Sequence, residues 1–236
     1  MSTLEIDNLT AITTNTNVTI KGKGSGKVSL GDGNLLFPDS DGSSGQFIQT
    51  DASGVLSFAT AGGAWTVIST VTADNVASLT ITGISDTYNY YCIGFSDILM
   101  ATDDRRILLR MGDSSGIDSG ASDYSYNGSY VKTNNTSFSH ESTQTGAHID
   151  VGGESFGAAS EEGWGGIYWI TCPSSSTTFP QIMGMYNGFN QSVANGQLGF
   201  TLGKRNTVID IDRIQIFSGE GDIISGRITL WGIAHA

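Results

Sequence analysis

Three short strings in the chain carry residue types that do chemistry elsewhere. Gly112-Asp113-Ser114-Ser115-Gly116 has the G-x-S-x-G spacing that exposes a serine nucleophile on a sharp turn. That turn needs a helix after it, and no helical periodicity follows. A histidine must also act as base. His140, His148 and His235 all come after the serine, against the order of chymotrypsin-like enzymes. Ile117-Asp118-Ser119-Gly120 has the Asp-Ser-Gly pattern in which two aspartates share one proton, but no second copy occurs. Gly22-Lys23-Gly24-Ser25-Gly26-Lys27 resembles a phosphate loop, yet it is one residue short, and Val28 stands where a hydroxyl would hold magnesium. The first and third are expected to be turns, which Gly, Asp and Ser form readily, and the Asp-Ser-Gly string a polar loop before the Tyr124 strand.

Metal and acid–base pairs fare no better. Asp39-Ser40-Asp41-Gly42 begins like a calcium loop, but Thr50 occupies the position of the bidentate glutamate. No His/Cys group has zinc spacing. Glu161 and Glu162 are adjacent, so on a strand they would point to opposite faces, and Glu154 is not tied to either by any pattern. No cofactor, no metal and no enzymatic activity are expected.

The elements that would position any such residues are strands. The chain has 236 residues, 32 of them Gly, with Ser and Thr nearly as common. Charged residues make up 14%, against roughly 25% in an average domain. The β-branched residues dominate, and the Ala/Glu/Lys/Leu richness of helical bundles is missing. An all-β protein is expected. Its formal charge of −12 and pI near 4.4 would repel phosphates, which excludes nucleic acid as a partner. No run approaches the ~18–20 apolar residues of a membrane span, so no membrane insertion is expected. Met1-Ser2-Thr3-Leu4-Glu5 lacks the features of a secretory leader. Cys92 and Cys172 sit in apolar runs and are expected to be buried free thiols rather than a disulfide.

Two regions emerge, 1–63 and 64–236. In the first, apolar residues come in short bursts (Val18–Ile20, Val28–Leu30, Leu35–Phe37, Phe47–Ile48, Val55–Phe58), and Ala61-Gly62-Gly63 reads as a linker. Such bursts cannot bury a core in one copy, so neighbouring chains are expected to share their apolar faces. The second region reads as about ten strands in a jelly-roll-like antiparallel sandwich. Ile107, Leu109 and Met111 fall on one face, and Ile209 and Ile211, then Ile214 and Ile216, alternate with a one-residue slip at Arg213 that reads as a bulge or bend. The run Gly166–Cys172 is continuously apolar, as in a strand covered on both faces. Asp97–Met111 reads as strand, turn, strand. The polar stretch 134–160 is expected to be a binding loop. Trp164, flanked by Gly163, Gly165 and Gly166, is expected to be exposed. Candidate contacts for a receptor or glycan are Trp164, Tyr126, His140 and His148.

Longer strings then become recognisable. Thr14–Ile20, Gly24–Val28 and Phe37-Pro38 are followed by Asp41-Gly42-Ser43-Ser44-Gly45-Gln46-Phe47-Ile48-Gln49-Thr50-Asp51-Ala52-Ser53-Gly54-Val55-Leu56-Ser57-Phe58. Together they resemble the N-terminal repeat of bacteriophage tail-fibre proteins, with Ile48 and Ala52 as departures. Trp169–Pro180 and Ile224-Ser225-Gly226-Arg227-Ile228-Thr229-Leu230-Trp231-Gly232-Ile233 are similar to strands of a phage fibre-tip domain, with Cys172 and Trp231 departing from its pattern.

The resemblance implies a virion structural protein made in the bacterial host cytoplasm. It implies a homotrimeric fibre or spike whose residues 1–63 attach to other virion proteins and whose β-sandwich meets a host-surface glycan or protein. It supplies no catalytic residues. A single repeat favours a short fibre or spike over a long one. A capsid-decorating, cementing or collar adaptor protein is the alternative; a capsule-degrading spike enzyme is a further one.

Overall fold

A computed structural model of the chain describes residues 29–30, 35–38, 40–60, 64–135, 137–171, 173–189 and 195–234. The chain divides into two compact units, Met1–Gly62 and Gly63–Ala236. The described residues contain no helix, and every strand pairing among them is antiparallel. The burst Val18–Ile20, the Gly22–Lys27 string, Asp39 and the Ala61–Gly63 linker lie outside the described residues.

The first unit contains two small pairings. Strand β1 (Ser29–Leu30) pairs with β2 (Leu35–Leu36), and β3 (Gln46–Thr50) pairs with β4 (Leu56–Thr60). Every residue of β3 is exposed, including Phe47 and Ile48. A two-stranded ribbon has too little surface to cover its own apolar side chains.

The second unit is a sandwich of two sheets. The larger has eight strands in the spatial order β11 (Ser139–Gly146), β10 (Tyr124–Lys132), β15 (Gly196–Arg205), β14 (Gln181–Phe189), β13 (Trp164–Thr171), β7 (Tyr90–Met100), β17 (Ile223–Ile233) and β5 (Trp65–Thr72). The smaller runs β12 (Ile149–Asp150), β8 (Ile107–Asp113), β16 (Arg213–Ser218) and β6 (Ser78–Thr82), with β9 (Gly116–Ile117) hairpinned onto β8.

Alternation builds the core between the sheets. Ile107, Leu109 and Met111 from β8 and Ile214 and Ile216 from β16 are fully buried. They meet Tyr91, Ile93, Tyr168, Ile170, Ile182, Ile228 and Leu230 from the large sheet. Asp97–Met111 forms strand, turn and strand, and Cys92 is a buried free thiol. Cys172 lies outside the described residues.

Two expectations need correction. The polar stretch 134–160 contains an edge strand, β11, and the short β12, so it is not one long loop. Backbone pairing with β10 holds β11 in place, and its alternately exposed Ser, His, Thr and Gln leave no hydrophobic signal. The apolar run in β13 is covered on one face only within this chain: Tyr168 and Ile170 are buried, while Ile167 is exposed.

Candidate functional site

The four residues expected to contact a receptor do not converge. Trp164 is in the core, which corrects the exposure expected of it. Its ring centroid lies 5.0 Å from that of Phe95 and 6.0 Å from that of Phe156, and only 1% of its surface is accessible. Gly166 nearby serves packing, not exposure: a Cβ there would come within 2.9 Å of the Met185 carbonyl oxygen. Tyr126 is half-buried in β10, and burial pushes its hydroxyl up to about 12. His148 lies in the β11–β12 connection with its ring edge-on to Phe217 at 6.1 Å. Burial first, then Arg110 and Arg106, hold it below the ordinary histidine range. His140 alone of the four is well exposed, and its Nδ1 shares a 2.6 Å hydrogen bond with Ser129 Oγ.

The catalytic-looking strings are occupied by structural work. Asp113 accepts hydrogen bonds from the amide and the hydroxyl of Ser115, at 2.8 and 2.6 Å, within the β8–β9 turn. Asp118 accepts from Arg205 Nε at 2.8 Å. Lys132 is ion-paired with Glu154, and Glu162 is buried with its carboxylate accepting from the Ala159 amide at 2.9 Å. Among the described residues no group of three His, Cys, Asp or Glu could hold a metal ion.

The hairpin of the first unit explains the string that resembles a fibre repeat. The Asp51 carboxylate accepts from the amides of Ser53 at 2.8 Å and Val55 at 3.0 Å, closing the turn between β3 and β4. These bonds lower the Asp51 pKa from the usual carboxylate value. Gln46 Oε1 accepts from the Ser43 amide at 2.7 Å, and Gly42 leaves room for the Phe58 ring. Ala52 has a φ of 63°, in the left-handed region that favours glycine.

The outer face of the large sheet is the most conspicuous surface. Strand β15 reads Gln197-Leu198-Gly199-Phe200-Thr201-Leu202-Gly203, and its alternation runs opposite to the usual rule. Glycine and threonine face the core; Leu198, Phe200 and Leu202 face outward and are exposed. The register is specified from inside. A side chain at Gly199 would collide with Tyr186, and one at Gly203 would meet Ile149 at 2.7 Å. In β14 the same face carries Met183, beside Leu202, and Met185, beside Phe200. The rows continue across β13 to Trp169 and Ile167, then through β7 at Cys92 to Trp231 in β17 and Val67 in β5. Trp65 sits at the far end, 5.2 Å from Trp169 and 6.2 Å from Trp231 between ring centroids, both contacts edge-on.

Compared with family models, curated proteins and solved structures, the chain matches nothing in any of the three. The surface is therefore read from its own chemistry. From β15 to β5 it is apolar and nearly uncharged; at its polar β10–β11 margin lies an open depression of about 460 Å³ bordered by Tyr126, Asn127, Leu202 and Lys204. Cys92 lies beneath this face, and burial pushes its thiol up to about 12. Such a face is built for packing, not for proton transfer. Sequence reasoning missed it because alternating Leu, Phe and Leu ordinarily marks the buried side of a strand.

Proposed function

We propose that the chain is a structural, non-enzymatic protein of a bacteriophage virion. It is a short homotrimeric fibre or spike in which residues 1–63 attach to other virion proteins and the sandwich faces a host surface or a fibre partner. One observation carries this reading: the β3–β4 hairpin bears the repeat-like string, and its apolar residues Phe47 and Ile48 are exposed. A hairpin of this kind gains stability when neighbouring copies cover it, as in a multi-chain β shaft. Asp113, Asp118 and Glu162 each accept structural hydrogen bonds from their own surroundings, which fits this reading.

The test is an image of intact particles bearing the protein with a bulky label fused after Ala236. External density with three-fold symmetry, together with block of phage adsorption by excess soluble protein, is the expected result. Label on the particle with unchanged adsorption would shift the assignment to a decorating or collar protein. Particles without label would overturn the virion role.

A further inference from the structure

We infer that the outer face of the eight-stranded sheet is a self-association surface, covered by other copies of the same chain. The inference deepens the proposed homotrimer by naming where the copies meet, and it rests on that reading.

The starting point is the inverted alternation of β15, beside β14, which is apolar on both faces. Met183, Met185, Leu198, Phe200 and Leu202, with Ile167 beside them, are between 37% and 60% exposed. Shifting either strand by one residue would bury these side chains, yet the inner glycines forbid it. Gly184 lies against the Ile167 carbonyl and the Tyr168 ring, and Gly199 against Tyr186. The outward apolar rows are thus a fixed product of the fold.

Area then selects the kind of occupant. The six side chains show roughly 600 Å² of apolar surface, the upper end of the largest patch on a typical monomer. With Trp65, Val67 and Tyr90 on the same sheet the total reaches about 900 Å², comparable to the ~800 Å² each partner buries in a standard interface. A sugar would use a few aromatic faces ringed by hydrogen-bonding groups; methionine and leucine rows offer it little. A protein surface of matching apolar character fits better.

Charge points to the chain itself. Two copies each carrying −12 repel wherever their carboxylates meet. The outward positions of β13, β14 and β15 hold no carboxylate, and Lys204 is their single charged side chain. This is a face on which two acidic copies can come together without opposing like charges. The continuous apolar run of β13 has the same explanation: one side is covered by the core and the other by a second copy.

The test uses the full chain. The wild-type protein should have a mass in solution that is a multiple of 24.8 kDa by light scattering. The double variant Met185→Glu, Phe200→Glu should fall to a single chain while keeping its β-sheet circular dichroism, and Thr80→Glu, on the small sheet, should leave the mass unchanged. A folded double variant that keeps the wild-type mass would overturn the surface while leaving self-assembly intact. A wild type that is a single chain at all concentrations would overturn self-assembly, and the surface with it. If the double variant fails to fold, brief oxidation of the wild-type assembly decides: Met183 and Met185 should be oxidised at least tenfold more slowly than in the denatured chain. Equal rates would overturn the inference.

Discussion

Arg106 and Asp150 meet at 2.8 Å, Nη1 donating to Oδ2, where the margins of the two sheets come together. The same guanidinium donates to both oxygens of Glu141, at 2.5 and 2.7 Å, so one arginine ties β11 of the large sheet to β12 of the small one. Asp150 is almost fully buried and also accepts from the amides of Gly152 at 3.0 Å and Gly153 at 2.9 Å. Burial lifts its pKa to about 6, against the opposing pull of Arg106 and the Gly152 amide.

This raised carboxyl sets a pH dependence. The folded state holds the Asp150 proton more tightly than the unfolded chain, whose value is the ordinary 3.8. Its contribution to stability is therefore greatest below that value and declines as pH rises through about 6. Removing the guanidinium should raise Asp150 further and strand its charge. Arg106→Met is expected to cost about 2–3 kcal/mol at pH 8, below the full value for a buried pair because the arginine is partly exposed, and clearly less at pH 5. Urea midpoints of both proteins at the two pH values measure this; a larger loss at pH 5 would contradict it.

Gly184 is a packing glycine on the inner side of β14. An added Cβ would lie well inside contact distance of the Ile167 carbonyl oxygen and within 2.6 Å of the Tyr168 ring. Because backbone is one of the obstacles, Gly184→Ala should destabilise the sandwich by about 3 kcal/mol. Gly219→Ala, whose nearest neighbour would be Leu108 at 3.8 Å, should change stability by less than about 0.5 kcal/mol. Thermal melts of the two variants side by side provide the comparison.

Ala52 occupies a left-handed turn position at φ 63°. Ala52→Gly should stabilise the first hairpin by about 0.5–1 kcal/mol, the relief of strain exceeding the added chain entropy. Slower amide exchange at Val55, whose N–H donates to Asp51, is the expected signature. Faster exchange would show that the turn tolerates alanine without strain.

Trp164 and His140 should separate stability from surface role. Trp164→Ala should cost about 3–5 kcal/mol, because it empties an aromatic cluster in the core. His140→Ala, at an exposed edge position, should stay within about 1 kcal/mol of wild type. Equilibrium unfolding of both variants distinguishes the two cases; equal losses would place His140 in a structural role as well.

The legible part of this fold came from short-range pattern. The two-residue period placed Ile107, Leu109 and Met111 on one face and Ile214 with Ile216 on another, and all five are buried. Gly-, Ser- and Asp-rich turns announced an all-β chain, and Gly112–Gly116 proved to be turn chemistry, while Asp118 lies in the loop after β9 and pairs with Arg205. What period cannot say is which face of a strand is covered. In β15 the apolar side is the outer one, because tyrosines and an isoleucine from other strands fill the space over its glycines. Trp164 was misjudged for the same reason: its neighbours in sequence are glycines, while those in space are Phe95, Phe156 and Tyr186.

Composition and alternation by themselves determined that this is an antiparallel β protein with a thin first region and a larger second one. Tertiary structure decided the rest. Cys92, Trp169 and Trp231 are far apart in the chain and become neighbours only through β13–β7–β17 pairing. The apolar surface running from β15 to β5 exists only once those strands lie side by side, because hydrogen-bonded pairing joins residues at any separation and sequence pattern registers only those close along the chain.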